Sequence, residues 1–162
     1  MTSFTLIAGL GNPGTRYADN RHNIGFKAVE TLADGHRLRF TKSEHNAQTA
    51  HGQISGQRVI LAKPQTWMND SGKAVGALAR FYKIPPEHIL VIYDDMDIPL
   101  DTLRYRASGS DGGHRGLGSI IQNLGTRDIP RLRLGIGRPP GQMDPAAYVL
   151  QDFSDEEEDL VW

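Results

Sequence analysis

The sequence has no cysteine, no apolar run near the ~20 residues that cross a bilayer, and a formal charge of only -1 over 162 residues. Without cysteine there is no disulfide framework and no thiol chemistry, which agrees with a cytoplasmic location. Without a long apolar run, a membrane span is excluded. The first seven residues, ending in Phe4-Thr5-Leu6-Ile7, lack the basic start and long apolar core of a signal peptide and run directly into a strand-like segment. Two common catalytic signatures are also missing. No G-x-S-x-G elbow occurs, and Gly72-Lys73 has Trp67 where a phosphate-binding loop needs its first glycine. A chain of this length builds one core, so a single domain over residues 1–162 is expected.

The small net charge conceals a gradient. All 18 Lys and Arg lie at or before Arg138, whereas Asp152, Asp155, Glu156, Glu157, Glu158 and Asp159 crowd the last eleven positions. Residues 1–151 therefore set 18 basic side chains against 13 acidic ones, a balance of +5. Such a body suits a polyanionic ligand, although ordinary solvated surface charge gives the same excess.

Periodicity then divides the chain. Residues 4–8 form an apolar, β-branched run closed by Gly9 and followed by a Gly/Asn/Pro loop to Gly14, as expected of a buried strand and its exit. From Asn23, the residues Ile24, Phe26, Val29 and Leu32 or Ala33 recur at helical spacing until Gly35. Strands are expected at 38–40, 47–54 and 58–62, the last two joined through Ser55-Gly56-Gln57 as a hairpin. Ser71 is placed to cap a helix whose apolar face is Ala74, Val75, Leu78, Phe81 and Tyr82, stopped by Pro85-Pro86. Residues 89–93 are a second apolar strand delivering Asp94, Asp95 and Asp97 at its end. A strand near 103–105, a glycine-rich segment at 109–118 leading into a helix through Leu117, Ile120, Ile121 and Leu124, and a strand at 132–136 follow. This alternation predicts a three-layer α/β domain, its twisted sheet mixed but mostly parallel and flanked by helices. Residues 138–151 read as a lid-like loop with a short helix.

Gly9-Leu10-Gly11-Asn12-Pro13-Gly14 matches the dinucleotide fingerprint and follows a strand. The fingerprint also needs a helix that begins among its glycines and an acidic residue ending a second strand. Residues 15–21 have no apolar helical face, and Glu30 and Asp34 fall in the helix from Asn23. Asp94, Asp95 and Asp97 with His22 and His114 offer a metal reading, but three acids within four residues are also ordinary turn composition. What remains is a set of polar residues at strand ends and helix starts: Asn12, His22, Asn23, Asn69, Asp94 and His114. In open α/β sheets that is where ligands bind. A histidine near neutrality takes a proton from water, and a carboxylate on its other nitrogen fixes the tautomer, a description that fits His22 with Asp94. Asparagine amides donate to a developing oxyanion without reacting.

The segments at 9–14, Tyr17, Arg21-His22-Asn23, Trp67-Met68-Asn69, 71–75, 94–99, Gly112-Gly113-His114, Gly116-Leu117 and 131–137 resemble bacterial-type peptidyl-tRNA hydrolase, in family order and over roughly residues 4–153. The resemblance implies hydrolysis of the ester that joins peptide to tRNA, with neither metal nor cofactor. His22 would activate water, Asp94 would orient His22, and Asn12 and Asn69 would hold the peptide carbonyl and polarise the ester. Trp67 and Met68 would line the peptide groove with Tyr17 flanking it, while His114 and Arg115 would contact substrate. Arg104, Arg106 and Arg133 would grip the tRNA 5′-phosphate. The implied partner is peptidyl-tRNA, met by a cytoplasmic monomer.

Two departures accompany the resemblance. Arg115 stands where the family usually has Asn, and it cannot accept a hydrogen bond. Family members usually continue through another helix beyond the acidic stretch, so the last helix is expected to be missing here. A catalytically silent RNA-binding relative is the alternative these departures leave open.

Overall fold

The computed structural model describes residues 4–14 and 20–138, and the two-residue period of its strands decides the layering. In β1 (Thr5–Gly9), Leu6 and Ala8 point to one face of the sheet and Ile7 to the other. Strand β4 (Gln57–Pro64) repeats this with Ile60 and Ala62 against Val59 and Leu61, and β5 (Ile89–Asp95) with Ile89, Val91 and Tyr93 against Leu90 and Ile92. Both faces are therefore apolar, and both need a helical cover. Helix α1 (Ile24–Gly35) provides one through Ile24, Val29 and Ala33. Helices α2 (Ser71–Phe81) and α3 (Arg115–Leu124) provide the other through Ala74, Val75, Leu78, Leu117 and Ile120. Truncating the fully buried Leu78 to alanine would cost about 2–5 kcal/mol.

The remaining strands are β2 (Lys42–Glu44), β3 (Ala47–Ile54), β6 (Leu103–Arg106) and β7 (Arg131–Gly135). Together the strands form one sheet in the order β2-β3-β4-β1-β5-β7-β6. The central four run parallel, and antiparallel pairs finish both edges, so the mixed three-layer expectation holds. From β1 the chain crosses over α1 toward β4, while from β5 it proceeds toward β7. The connections thus diverge between β1 and β5, opening a crevice at their C-terminal ends.

Several local expectations change. Residues 38–40 are not a strand. Arg37 takes φ 57°, the Leu38 amide returns to the Ala33 carbonyl at 2.9 Å to close α1, and Leu38 and Phe40 plug the sheet from that side. The edge strand is Lys42–Glu44 instead, which has no apolar residue to announce it. The hairpin turn is two residues long, with φ 51° at Ser55 and 79° at Gly56, so Gln57 already pairs with Ile54. Ser71 does not cap α2 by accepting from its amides. Its hydroxyl donates back to the Met68 carbonyl at 2.7 Å. Phe81, expected on the apolar face, is 63% exposed, because the buried stripe ends with Leu78 and Ala79. Of the lid-like loop at 138–151, only Arg138 lies within the described residues.

Candidate active site

Leu10 extends the pairing of β1 by one residue, its amide donating to the Ile92 carbonyl at 2.9 Å, and so the chain enters the crevice at a fixed height. Asn12 is then held by Asn23. The Asn12 amide donates to Asn23 Oδ1, and Asn23 Nδ2 donates to the Asn12 carbonyl, each at 2.8 Å. Asn12 Oδ1 accepts from the Met68 amide at 2.7 Å. With its oxygen committed, the side chain offers only its Nδ2 donors to the cavity it lines.

The glycines of this loop have packing reasons. A Cβ on Gly9 would lie 2.1 Å from the Gly25 carbonyl oxygen, and one on Gly11 would lie 2.8 Å from the Phe26 ring. They allow α1 to approach β1 closely. The helix itself begins only at Ile24, ten residues after Gly14, where its amides cannot meet a phosphate at the glycines.

His22 stands in the 3-10 turn Arg21–Asn23, with its Nδ1 at 2.8 Å from both oxygens of Asp94 near the end of β5. His114, at the N-cap of α3, places Nε2 at 2.8 Å from Asp94 Oδ1, while its Nδ1 accepts from the Leu117 amide at 3.2 Å. Asp94 is 4% exposed. Burial pushes its carboxyl up, but the charges and hydrogen bonds of His22 and His114 outweigh that and hold it well below the usual carboxylate range. An ionised Asp94 accepting Nδ1–H leaves the lone pair of His22 on Nε2, away from Asp94.

Among the described residues, His22, Asp94 and His114 are grouped closely enough to hold a metal, their ligand atoms lying within 4.8 Å of one another. The donor set argues otherwise. His114 Nε2 must bear a proton, since Nδ1 is an acceptor, so it has no lone pair to give. Asp95 and Asp97, the other candidate ligands, turn instead toward Arg133 and Arg138.

These groups line one cavity of about 510 Å³. Its apolar lining includes Trp67, 56% exposed, and buried Met68, with Asn69 next to them in the chain. Its basic lining includes Arg106, Arg115 and Arg133. Gly72 of α2 donates to Ser119 of α3 at 2.8 Å, which locks the Met68 turn relative to His114.

Residues 6–161 match the family model for peptidyl-tRNA hydrolase. The chain belongs to that family. It is 59% identical to the peptidyl-tRNA hydrolase of Chloroflexus aurantiacus over 154 residues, 94% of this chain and 82% of that protein. It is 50% identical to the chloroplastic peptidyl-tRNA hydrolase of Arabidopsis thaliana over 155 residues, 95% of this chain and 54% of that one. The crystal structure of peptidyl-tRNA hydrolase from Acinetobacter baumannii superposes with a TM-score of 0.92 at 38% identity, over 99% of this chain and 82% of that one.

Of the residues singled out by sequence, Asn12, His22, Trp67, Met68, Asn69, Asp94, His114, Arg115, Arg106 and Arg133 converge on this cavity. Arg104 does not line it but lies opposite Arg133 across the β6–β7 pair. Tyr17 lies outside the described residues. Sequence reasoning gave no role to Arg131 or Tyr93, which also line the cavity. The alternation Arg131-Leu132-Arg133-Leu134 was the available signal, since it puts both arginines on one face of a strand.

Proposed function

We propose that this chain hydrolyses the ester between peptide and tRNA in peptidyl-tRNA, releasing free tRNA for reuse, with His22 as the general base. The observation that supports it most is the fixed orientation of His22 by a buried, ionised Asp94 beside the directed amide of Asn12. His22 Nε2 takes a proton from water as the hydroxyl oxygen attacks the ester carbonyl. Asn12 Nδ2 donates to the oxyanion, and Asp94 stabilises the imidazolium. Collapse breaks the bond to the 3′-ribose oxygen, and that oxygen takes the proton from His22. A ribose hydroxyl leaves far more easily than an amine, so one base and oriented dipoles suffice without a cofactor.

Trp67 and Met68 pack along the peptide, with Tyr17 flanking it, and Asn69 holds its backbone. Arg115 contacts the acceptor end, and Arg104, Arg106 and Arg133 meet the tRNA 5′-phosphate. His114, with both ring nitrogens committed, acts on substrate through Asp94 and its ring face. Every group in this scheme comes from one chain, which suits a monomer, and its substrate belongs to the cytoplasmic translation machinery.

Single-turnover release of peptide from peptidyl-tRNA by His22→Ala tests the reading. Release at the wild-type rate would sink it. Tight tRNA binding by the unmodified chain without any cleavage would point instead to a silent RNA-binding relative.

A further inference from the structure

Strands β6 and β7 bring four arginines to the sheet face shared with Tyr93, in two cross-strand pairs, Arg104 opposite Arg133 and Arg106 opposite Arg131. Arg131 differs from the others in being 1% exposed. A guanidinium is held in the interior only when its donors find acceptors. Here Nε donates to the Ile129 carbonyl at 3.1 Å, Nη1 to the Ser110 carbonyl at 2.6 Å and Nη2 to the Arg127 carbonyl at 2.9 Å. The Tyr93 phenol lies beside it.

Those carbonyls belong to two different loops. Ser110 precedes α3, whereas Arg127 and Ile129 follow it. The Arg127 carbonyl also accepts from the Gly109 amide at 3.2 Å, which ties the two loops to each other. One side chain thus fastens both ends of α3 to β7. The segment it fastens turns on glycines, with Gly109, Gly112 and Gly113 at φ 143°, 60° and 88°, and within it only Asp111 supplies hydrogen bonds, to the Gly113 and His114 amides. That segment delivers His114 to Asp94.

We propose that Arg131 is a positioning residue for ester hydrolysis, which by clamping residues 109–113 to β7 holds His114 on Asp94 and so fixes His22. The proposal rests on the catalytic reading given above. Arg131 spends its donors on carbonyls, so its role differs from the phosphate contacts of its neighbours. Lysine cannot substitute, because a single ammonium cannot span carbonyls spread along a planar fork.

The experiment is a double-mutant cycle of Arg131→Lys and His114→Ala, read by single-turnover cleavage of peptidyl-tRNA across pH and by tRNA affinity. Wild-type cleavage and its loss in His22→Ala are measured first; their failure would overturn the catalytic reading and this proposal with it. With both in place, Arg131→Lys should cleave about ten- to a hundredfold more slowly. It should bind tRNA nearly as well as wild type, and the acid limb of its pH profile should move as in His114→Ala. The double variant should lose little beyond His114→Ala, because the two act through one line of contacts. Additive losses, an unmoved acid limb, or a defect confined to tRNA affinity would overturn the proposal. Should Arg131→Lys fail to fold, Tyr93→Phe removes one neighbour of the guanidinium without emptying its site. Additivity of that variant with His114→Ala would be equally decisive against it.

Discussion

His114 Nε2 donates to Asp94 Oδ1 at 2.8 Å, and the direction of this bond is set by a helix. The Leu117 amide at the start of α3 donates into His114 Nδ1, so the ring proton resides on Nε2 and faces the carboxylate. Asp94 therefore receives donors from both walls of the crevice, His22 from the turn after β1 and His114 from the cap of α3. A carboxylate this deeply buried would ordinarily favour its neutral form. Two imidazole donors reverse that preference, and the ionised acid can then orient His22.

If Asp94 orients His22 and stabilises its imidazolium, Asp94→Asn should slow single-turnover cleavage by about 10²- to 10⁴-fold. The amide keeps the shape but cannot offer the same acceptor charge to Nδ1–H. Binding of tRNA should change little, because Asp94 is buried beneath the cavity surface. A rate within about threefold of wild type, well short of the contribution expected of general-base catalysis, would remove Asp94 from the mechanism.

The same carboxyl makes stability depend on acid. Its folded value lies below the ordinary 3.8, so the stabilisation is complete above that pH and is lost as pH falls further through the folded value. The difference in unfolding free energy between wild type and Asp94→Asn should shrink as pH falls below about 4. Denaturant titrations at a series of pH values measure it; a difference that grows toward acid would contradict the assignment.

The central strands were legible because both their faces are apolar, and the helices because their stripes are unbroken from Ile24 to Ala33 and from Ala74 to Leu78. The polar members of the site were legible as loop residues at strand ends. What stayed hidden depends on contacts between distant segments. Nothing local distinguishes Arg131, bound to three carbonyls, from Arg133 two residues on, which faces Asp95 at 3.6 Å. Lys42–Glu44 is a strand only because β3 presents an edge to it. The resemblance supplied roles for His22 and Asp94, but the shared use of Asp94 by His114 needed the fold.

Gly9→Ala separates packing from ligand binding in the glycine-rich loop. A Cβ there meets the Gly25 carbonyl oxygen at 2.1 Å, a backbone atom that cannot rotate aside. The variant should be destabilised by about 1–3 kcal/mol or more through overpacking, with its soluble fraction and melting temperature both lowered. Gly14→Ala meets no such neighbour and is strained by its φ of 101° instead, so it should be less severe. Equal effects would mean that the α1–β1 approach is not the reason for Gly9.

Far from the cavity, Glu44 gathers Thr49 at 2.6 Å, His51 at 2.7 Å and the Tyr82 hydroxyl, joining β2, β3 and the end of α2. Burial works against the charge, but these donors win and bring the Glu44 carboxyl down to about 2, while burial and Glu44 push the Tyr82 phenol up to about 12. Tyr82→Phe should cost about 1.5–3 kcal/mol, as expected for a lost hydrogen bond to a charged group, and leave cleavage unchanged. Glu44→Gln should be less stable than wild type at neutral pH, with the gap narrowing as pH falls from 4.5 toward 2. A matching loss of catalytic rate would link this edge of the sheet to the site.

The arginines of the cavity and its neighbouring strands should divide by the part of the tRNA each one meets. Arg115 opens α3 next to His114 and is exposed, and it is proposed above to contact the acceptor end, whereas Arg133 and Arg104 pair across β6 and β7 and are proposed to meet the 5′-phosphate. Both kinds of contact release counterions. Arg115→Ala should therefore lower the slope of log affinity against log salt by about 0.7, and Arg133→Ala by about 0.9. Removing the 5′-phosphate from the tRNA should weaken wild type and Arg115→Ala alike but Arg133→Ala less, because Arg104 and Arg106 remain to meet the phosphate. In both variants KM should rise with kcat held, as for contacts equally strong in the ground and transition states. If Arg115→Ala instead lowered kcat at constant KM, the residue would belong to the chemical step, and its replacement of the family's usual asparagine would alter catalysis rather than substrate grip.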